Sequence, residues 1–119
     1  MFSSDRFFRL VSYQASHGIL LFRSPKHRLN AATNIDVLFT DVRAIELRAW
    51  TEGLVIEEVE AGAVADAASR PADLIEPGNR VYAVRGSGWE GFIVGGTFHT
   101  VEDDTDEMEP TKLMEATVR

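Results

Sequence analysis

Apolar and polar positions alternate most clearly in the middle of the chain. In Ile35-Asp36-Val37-Leu38-Phe39 the odd positions are all apolar, and strict alternation resumes in Ile45-Glu46-Leu47-Arg48-Ala49-Trp50. A period of two is the mark of a strand with one buried face. The phase slips around Thr40-Asp41-Val42, which predicts a turn or bulge that re-aims the side chains. Trp50-Thr51-Glu52-Gly53 reads as a short hairpin loop with Gly53 in a left-handed position. Leu54-Val55-Ile56 then starts a return strand that fades into Glu57, Glu58 and Glu60.

The flanking segments read in the same way. Residues 6–15 are rich in aromatic and β-branched types, and 18–23 form a continuous apolar run, so Ser16-His17-Gly18 between them predicts a hairpin. The polar stretch 24–34 is a candidate functional loop, since rigid scaffolds carry sites on loops. Ala-rich residues 62–70 are the one helix candidate, closed off by Pro71. Glu76-Pro77-Gly78-Asn79 has type II turn chemistry and leads into a strand at Val81–Arg85. Phe92-Ile93-Val94 and Thr97–Val101 supply further strands around a Gly95-Gly96 turn or bulge.

Strands at such short spacing predict a mostly β, antiparallel domain, a sandwich or a partly open barrel of about seven to eight strands with one short helix. Parallel crossovers need helices between strands, and the chain offers a single candidate. A length of 119 residues fits one β-rich domain, 1–119, with the acidic segment 102–109 as a mobile loop or tail.

Composition narrows the chemistry. There is no cysteine, which removes disulfides, thiolate metal sites and cysteine nucleophiles and tilts the expectation toward the cytoplasm. The first residues lack the pattern of a signal peptide, and no apolar run reaches membrane-helix length, so no membrane partner is expected. The net charge of −7 argues against nucleic acid. It is unevenly spread: residues 1–30 hold five basic residues (Arg6, Arg9, Arg23, Lys26, Arg28) and one acid, a local +4 that leaves −11 for the remainder. Such a layout suits docking between unlike ends, although the plainer reading is two solvated surfaces.

Each motif is weak when tested against what its chemistry needs. Gly86-Ser87-Gly88-Trp89-Glu90-Gly91 matches G-x-G-x-x-G, but β-prone residues follow where a dinucleotide site needs a helix. A hairpin whose glycines permit positive φ is the expected structure. Ser87 lacks the nucleophile-elbow pattern. His17, His27 and His99 are the only histidines, and His99 with Glu102 has a spacing that divides them between the two faces of a strand. Glu102–Glu109 packs six carboxylates into eight residues but lacks the glycine of a calcium loop. Its expected role is solvation or capture of a basic partner. No cofactor, no metal and no catalytic residue are assigned.

Two functions remain. The first is a non-catalytic module that binds a protein partner or self-associates into a homo-oligomer, with Trp89, Trp50, Asp103 and Asp104 as contact residues. Both tryptophans adjoin predicted turns, and Trp89, in the Gly-rich break, is the expected surface anchor. The alternative is a small-molecule-binding or small enzyme domain with a pocket inside the sheet, formed by Tyr82, Arg85, His99 and Glu102. A polar cluster pointing into a cavity favours the alternative, and an apolar interior opposes it.

Overall fold

The computed structural model describes residues 1–26, 32–60, 78–104, 111 and 113. Eight strands account for most of them: β1 (Phe2–Gln14), β2 (Ile19–Ser24), β3 (Asn34–Phe39), β4 (Ala44–Glu46), β5 (Trp50–Val59), β6 (Arg80–Gly86), β7 (Trp89–Gly95) and β8 (Phe98–Asp103). All pairings are antiparallel. They build one sheet in the order β4-β7-β6-β5-β1-β2-β3-β8, open, with β4 and β8 as its edges. The expected β-rich antiparallel fold is therefore present, as one sheet. The helix predicted over 62–70 lies outside the described residues. Among those residues no helix is long and apolar enough to cross a membrane.

The sheet is strongly curled. Tyr82 on β6 and Phe39 on β3 stand four places apart in the strand order, yet their rings are 5.4 Å apart, and Phe98 on β8 lies within 5.5 Å of both. Phe8, Leu20, Phe22, Val37, Phe39, Val42, Leu54, Ile56, Tyr82, Val84 and Ile93 form one buried cluster on the concave face. All but Val42, which comes from the link between β3 and β4, lie on the inward parity of their strands, so the period-two pattern builds most of the core. The curl is held where two irregular links run side by side. Thr40 N donates to Thr97 O at 3.0 Å, Gly96 N to Thr40 O at 2.9 Å and Arg43 N to Val94 O at 2.7 Å. The predicted phase slip falls here, at Asp41, whose φ is 53°.

Two sequence expectations are corrected. The alternating run 45–50 is not one strand, because pairing with β7 stops at Glu46. Trp50–Gly53 is not a loop, because β5 runs unbroken from Trp50 to Val59. Gly53 does have positive φ, 79°, but it marks a bulge. The pairing of β1 with β5 slips between Ser4 and Phe7, opposite this glycine. Across the bulge Thr51 and Leu54 are both buried although three positions apart. Pairing of Trp50, Thr51 and Glu52 with Arg9, Phe8 and Phe7 of β1, with Ser87 N donating to Glu52 O at 2.9 Å on the other side, explains why the segment continues where its own composition suggests a turn.

The convex face is not uniformly exposed. On β2 and β3 it buries Ile19, Leu21 and Leu38, with Leu113 packed against them. Beside them lies the ion pair Arg23–Asp36, at 5% and 2% exposure. On β6 and β7 it buries Val81, Phe92 and Val94. Among the described residues the exposed large apolar side chains are Met1, Val11, Tyr13 and Trp50, all on β1, immediately before it, or on β5.

Tyr82 ties the core to the edge. Its hydroxyl donates to Gly96 O at 2.7 Å, and burial raises its phenol above the ordinary 10.0, against the lowering effect of Arg80. The fold thus favours the neutral phenol. The stability it contributes is complete below pH 10.0 and is lost as pH rises past 10.0 toward the raised folded value. Tyr82→Phe is expected to cost about 1 kcal/mol at neutral pH. Thermal melts of both proteins between about pH 8 and 11 should show this gap shrinking above the ordinary tyrosine range. A gap that is constant with pH overturns the assignment.

Candidate functional site

The exposed stripe on β1 and β5 is assembled by strand register. Phe7 pairs with Glu52 and Arg9 with Trp50, so four side chains share one patch of the convex face. Trp50 is 61% exposed and stacks on Phe7, which is 8% exposed, with centroids 6.2 Å apart and planes 28° apart. Arg9 and Glu52 beside them are exposed. Leu10 N donates to Ala49 O at 2.7 Å, which fixes the entry of β5 immediately before Trp50. The patch is therefore an aromatic platform on the ladder between two central strands, with one charge of each sign beside it. Such a platform loses little conformational freedom when covered.

The other tryptophan is turned inward. Trp89 opens β7 after the Ser87-Gly88 turn and donates from Nε1 to Thr51 Oγ1 at 2.7 Å, while Thr51 Oγ1 donates to Gly53 O at 2.9 Å. It packs half-buried against the core. Of the two tryptophans, Trp50 is thus the surface residue. The rim of Trp89 still lines a shallow cavity of about 390 Å³ with Glu46, Leu47, Arg48, Gly88 and Glu90. Gly86-Ser87-Gly88-Trp89-Glu90-Gly91 is a hairpin between β6 and β7, and no helix follows it. The arrangement lacks the strand–loop–helix needed to seat a pyrophosphate.

The residues proposed for an internal pocket do not converge. Tyr82 is 2% exposed within the apolar cluster. Arg85 lies on the outer parity of β6, with Nη2 3.3 Å from Glu57 Oε2. His99 pairs with outward-facing Leu38, and its Nε2 lies 3.3 Å from Thr97 Oγ1. Glu102 pairs with Ile35 on the opposite face and accepts a 2.6 Å bond from Thr33 Oγ1. The concave face that such a pocket needs is occupied by the apolar cluster. Among the described residues no group of three or more His, Asp and Glu is placed to hold a metal.

The acidic run begins inside the sheet. Glu102 and Asp103 belong to β8, and Asp103 pairs with Asn34, so the run is not a free tail from its first residue. Asp104 is exposed, and its carbonyl accepts from Lys26 Nζ at 2.8 Å. Residues 105–109 lie outside the described residues, as do Arg28 and His27.

The basic first quarter is largely consumed internally, which its sequence did not reveal. Arg23 makes a two-point contact with Asp36, Nε to Oδ1 at 2.6 Å and Nη2 to Oδ2 at 3.0 Å. Arg6 donates to Ser24 Oγ at 2.9 Å, to Thr33 Oγ1 at 3.2 Å and to the carbonyls of both residues. Its own backbone N–H donates to Ser4 Oγ at 3.2 Å. Through Thr33 this hub reaches Glu102, so Ser4, Arg6, Ser24, Thr33 and Glu102 form a polar network that stitches the N-terminal strand to β2 and β8. Arg9 is left as the exposed cation of the patch.

No known protein family, no curated protein and no solved structure matches this chain.

Proposed function

We propose that this chain is a non-catalytic protein-binding module that docks through the β1–β5 stripe centred on Trp50. The observation that carries this reading is the 61% exposure of Trp50 on a strand paired there with β1, resting on the buried ring of Phe7. Exposed aromatics on rigid elements supply much of the contact energy in protein interfaces. The absence of cysteine fits a module that works in the reducing cytoplasm.

Matched affinity capture with wild type and Trp50→Ala as baits, with a tagged second copy of the chain included, tests the reading. Partners held by the wild type are expected to be lost from Trp50→Ala. The ring is mostly in water, so the variant should keep its fold and lose only about 1 kcal/mol from the missing Phe7 stack. Identical partner sets on both baits overturn the proposal, as does a small molecule that native mass spectrometry finds retained by both.

A further inference from the structure

Resting on that reading, we infer that the partner is a second copy of the chain, docked stripe to stripe about a two-fold axis parallel to β1 and β5. The inference comes from the order of the four side chains. Arg9 stands beside Trp50, and Phe7 stands beside Glu52. A two-fold axis running between the two strands carries β1 of one copy over β5 of the other. Arg9 of each copy then lies over Trp50 of its mate, while Phe7 backs the indole of its own chain from below. Each guanidinium meets the face of an indole and has the neighbouring carboxylate within reach. A two-fold interface must be self-complementary, and this patch presents one cation, one anion and one exposed indole backed by Phe7.

Charge supports the same choice. The chain as a whole is −7, so two copies repel unless the surfaces that meet are locally balanced. The stripe is balanced, with Arg9 against Glu52. A basic foreign partner is expected to seek the acidic remainder of the surface instead. The face is convex, which limits the area two copies can bury. The expected dimer is therefore weak, with Kd on the order of 10–100 µM, not an obligate assembly.

Sedimentation equilibrium over concentrations up to about 1 mM tests this directly, since that range brackets such a Kd. The wild type is expected to show a reversible monomer–dimer equilibrium. Trp50→Ala should weaken it by at least about tenfold, while Arg9→Lys, which keeps the cation, retains most of it. Arg9→Glu and Glu52→Arg should each be monomeric, the first through two facing anions and the second through two facing cations. An equal mixture of these two variants should dimerise again, because each supplies the charge the other lacks. Circular dichroism of each variant separates loss of docking from loss of fold. A wild type that stays monomeric, or charge variants that dimerise like the wild type, overturns the inference. If the wild type is monomeric but Trp50→Ala still sheds another captured partner, this inference falls alone. If Trp50→Ala changes nothing in either assay, the docking role of the stripe falls with it.

Discussion

Gly91→Ala is expected to destabilise the fold by more than about 3 kcal/mol, although it adds a single methyl group. A Cβ at position 91 would stand 1.9 Å from Glu46 O and 3.0 Å from Glu46 C. Both are backbone atoms of β4, so no side-chain rotation relieves the contact. Position 91 also faces Val84 across the β6–β7 ladder, which stops β7 from backing away. The sheet must therefore give up its weakest member. β4 has only three paired residues, and detaching it uncovers Ile45 and Leu47, which pack against the core. Gly86→Ala should behave similarly, with a Cβ 1.8 Å from Thr51 Oγ1 and 2.4 Å from Trp89 Nε1, in the middle of their hydrogen bond. Gly88→Ala is the internal control. Nothing lies within 4 Å of its added methyl, and only its φ of 79° resists, at about 1–2 kcal/mol. Urea unfolding of the three variants should rank Gly88→Ala as the mildest. If Gly91→Ala unfolds within about 1 kcal/mol of wild type, or Gly88→Ala proves worst, the close approach of β4 to β7 is not real.

The same three glycines show what sequence can and cannot tell. As G-x-G-x-x-G they read as a hairpin, and they form one, because strand-forming residues on both sides leave no helix to open. The reason two of them are glycines was not legible. It lies in Glu46 and Thr51, some 40 positions away, and needs the sheet order before it can be seen. Positive φ at Gly53 was legible, but its consequence was misread as a turn. A left-handed glycine suits a hairpin loop and a bulge equally, and the choice depends on whether a neighbouring strand shifts register opposite it, as β1 does between Ser4 and Phe7. The early hairpin and the strands around Ile35, Leu54 and Val81 were legible because alternation and turn chemistry are local. The candidate patch was half legible. Trp50 was legible as one of two candidate contact tryptophans, with Trp89 expected as the anchor, but its neighbours Phe7 and Arg9 come from a strand more than 40 residues earlier. The charge asymmetry misled for the same reason, since three of the four described basic residues of the first quarter find partners inside the fold.

Asp36→Ala is expected to cost about 3–5 kcal/mol, the usual penalty for breaking one side of a buried ion pair. The substitution removes both carboxylate contacts from Arg23, at 2.6 and 3.0 Å, and leaves a guanidinium that is only 5% exposed beside Ile19, Leu21 and Leu38. Water cannot replace the lost partner without opening the convex face beneath Leu113. Arg23→Met is expected to be similarly harmful, because it strands a carboxylate at 2% exposure. The pair together should be far less so. Replacing both residues, Arg23→Met with Asp36→Leu, removes two desolvated charges at once and fills the space with apolar atoms, which is often neutral or better. Unfolding free energies for the four proteins of this cycle should give a coupling of about 1–3 kcal/mol, with the double variant more stable than either single. Strictly additive losses would mean that the two side chains act separately and the contact is incidental. If the double variant keeps its stability, the pair's contribution lies in alignment. Arg23 and Asp36 are directly opposed across β2 and β3. A slip of one residue would point them to opposite faces and drive one charge into the core, so the pair resists the register error that a strand buried on both faces otherwise tolerates.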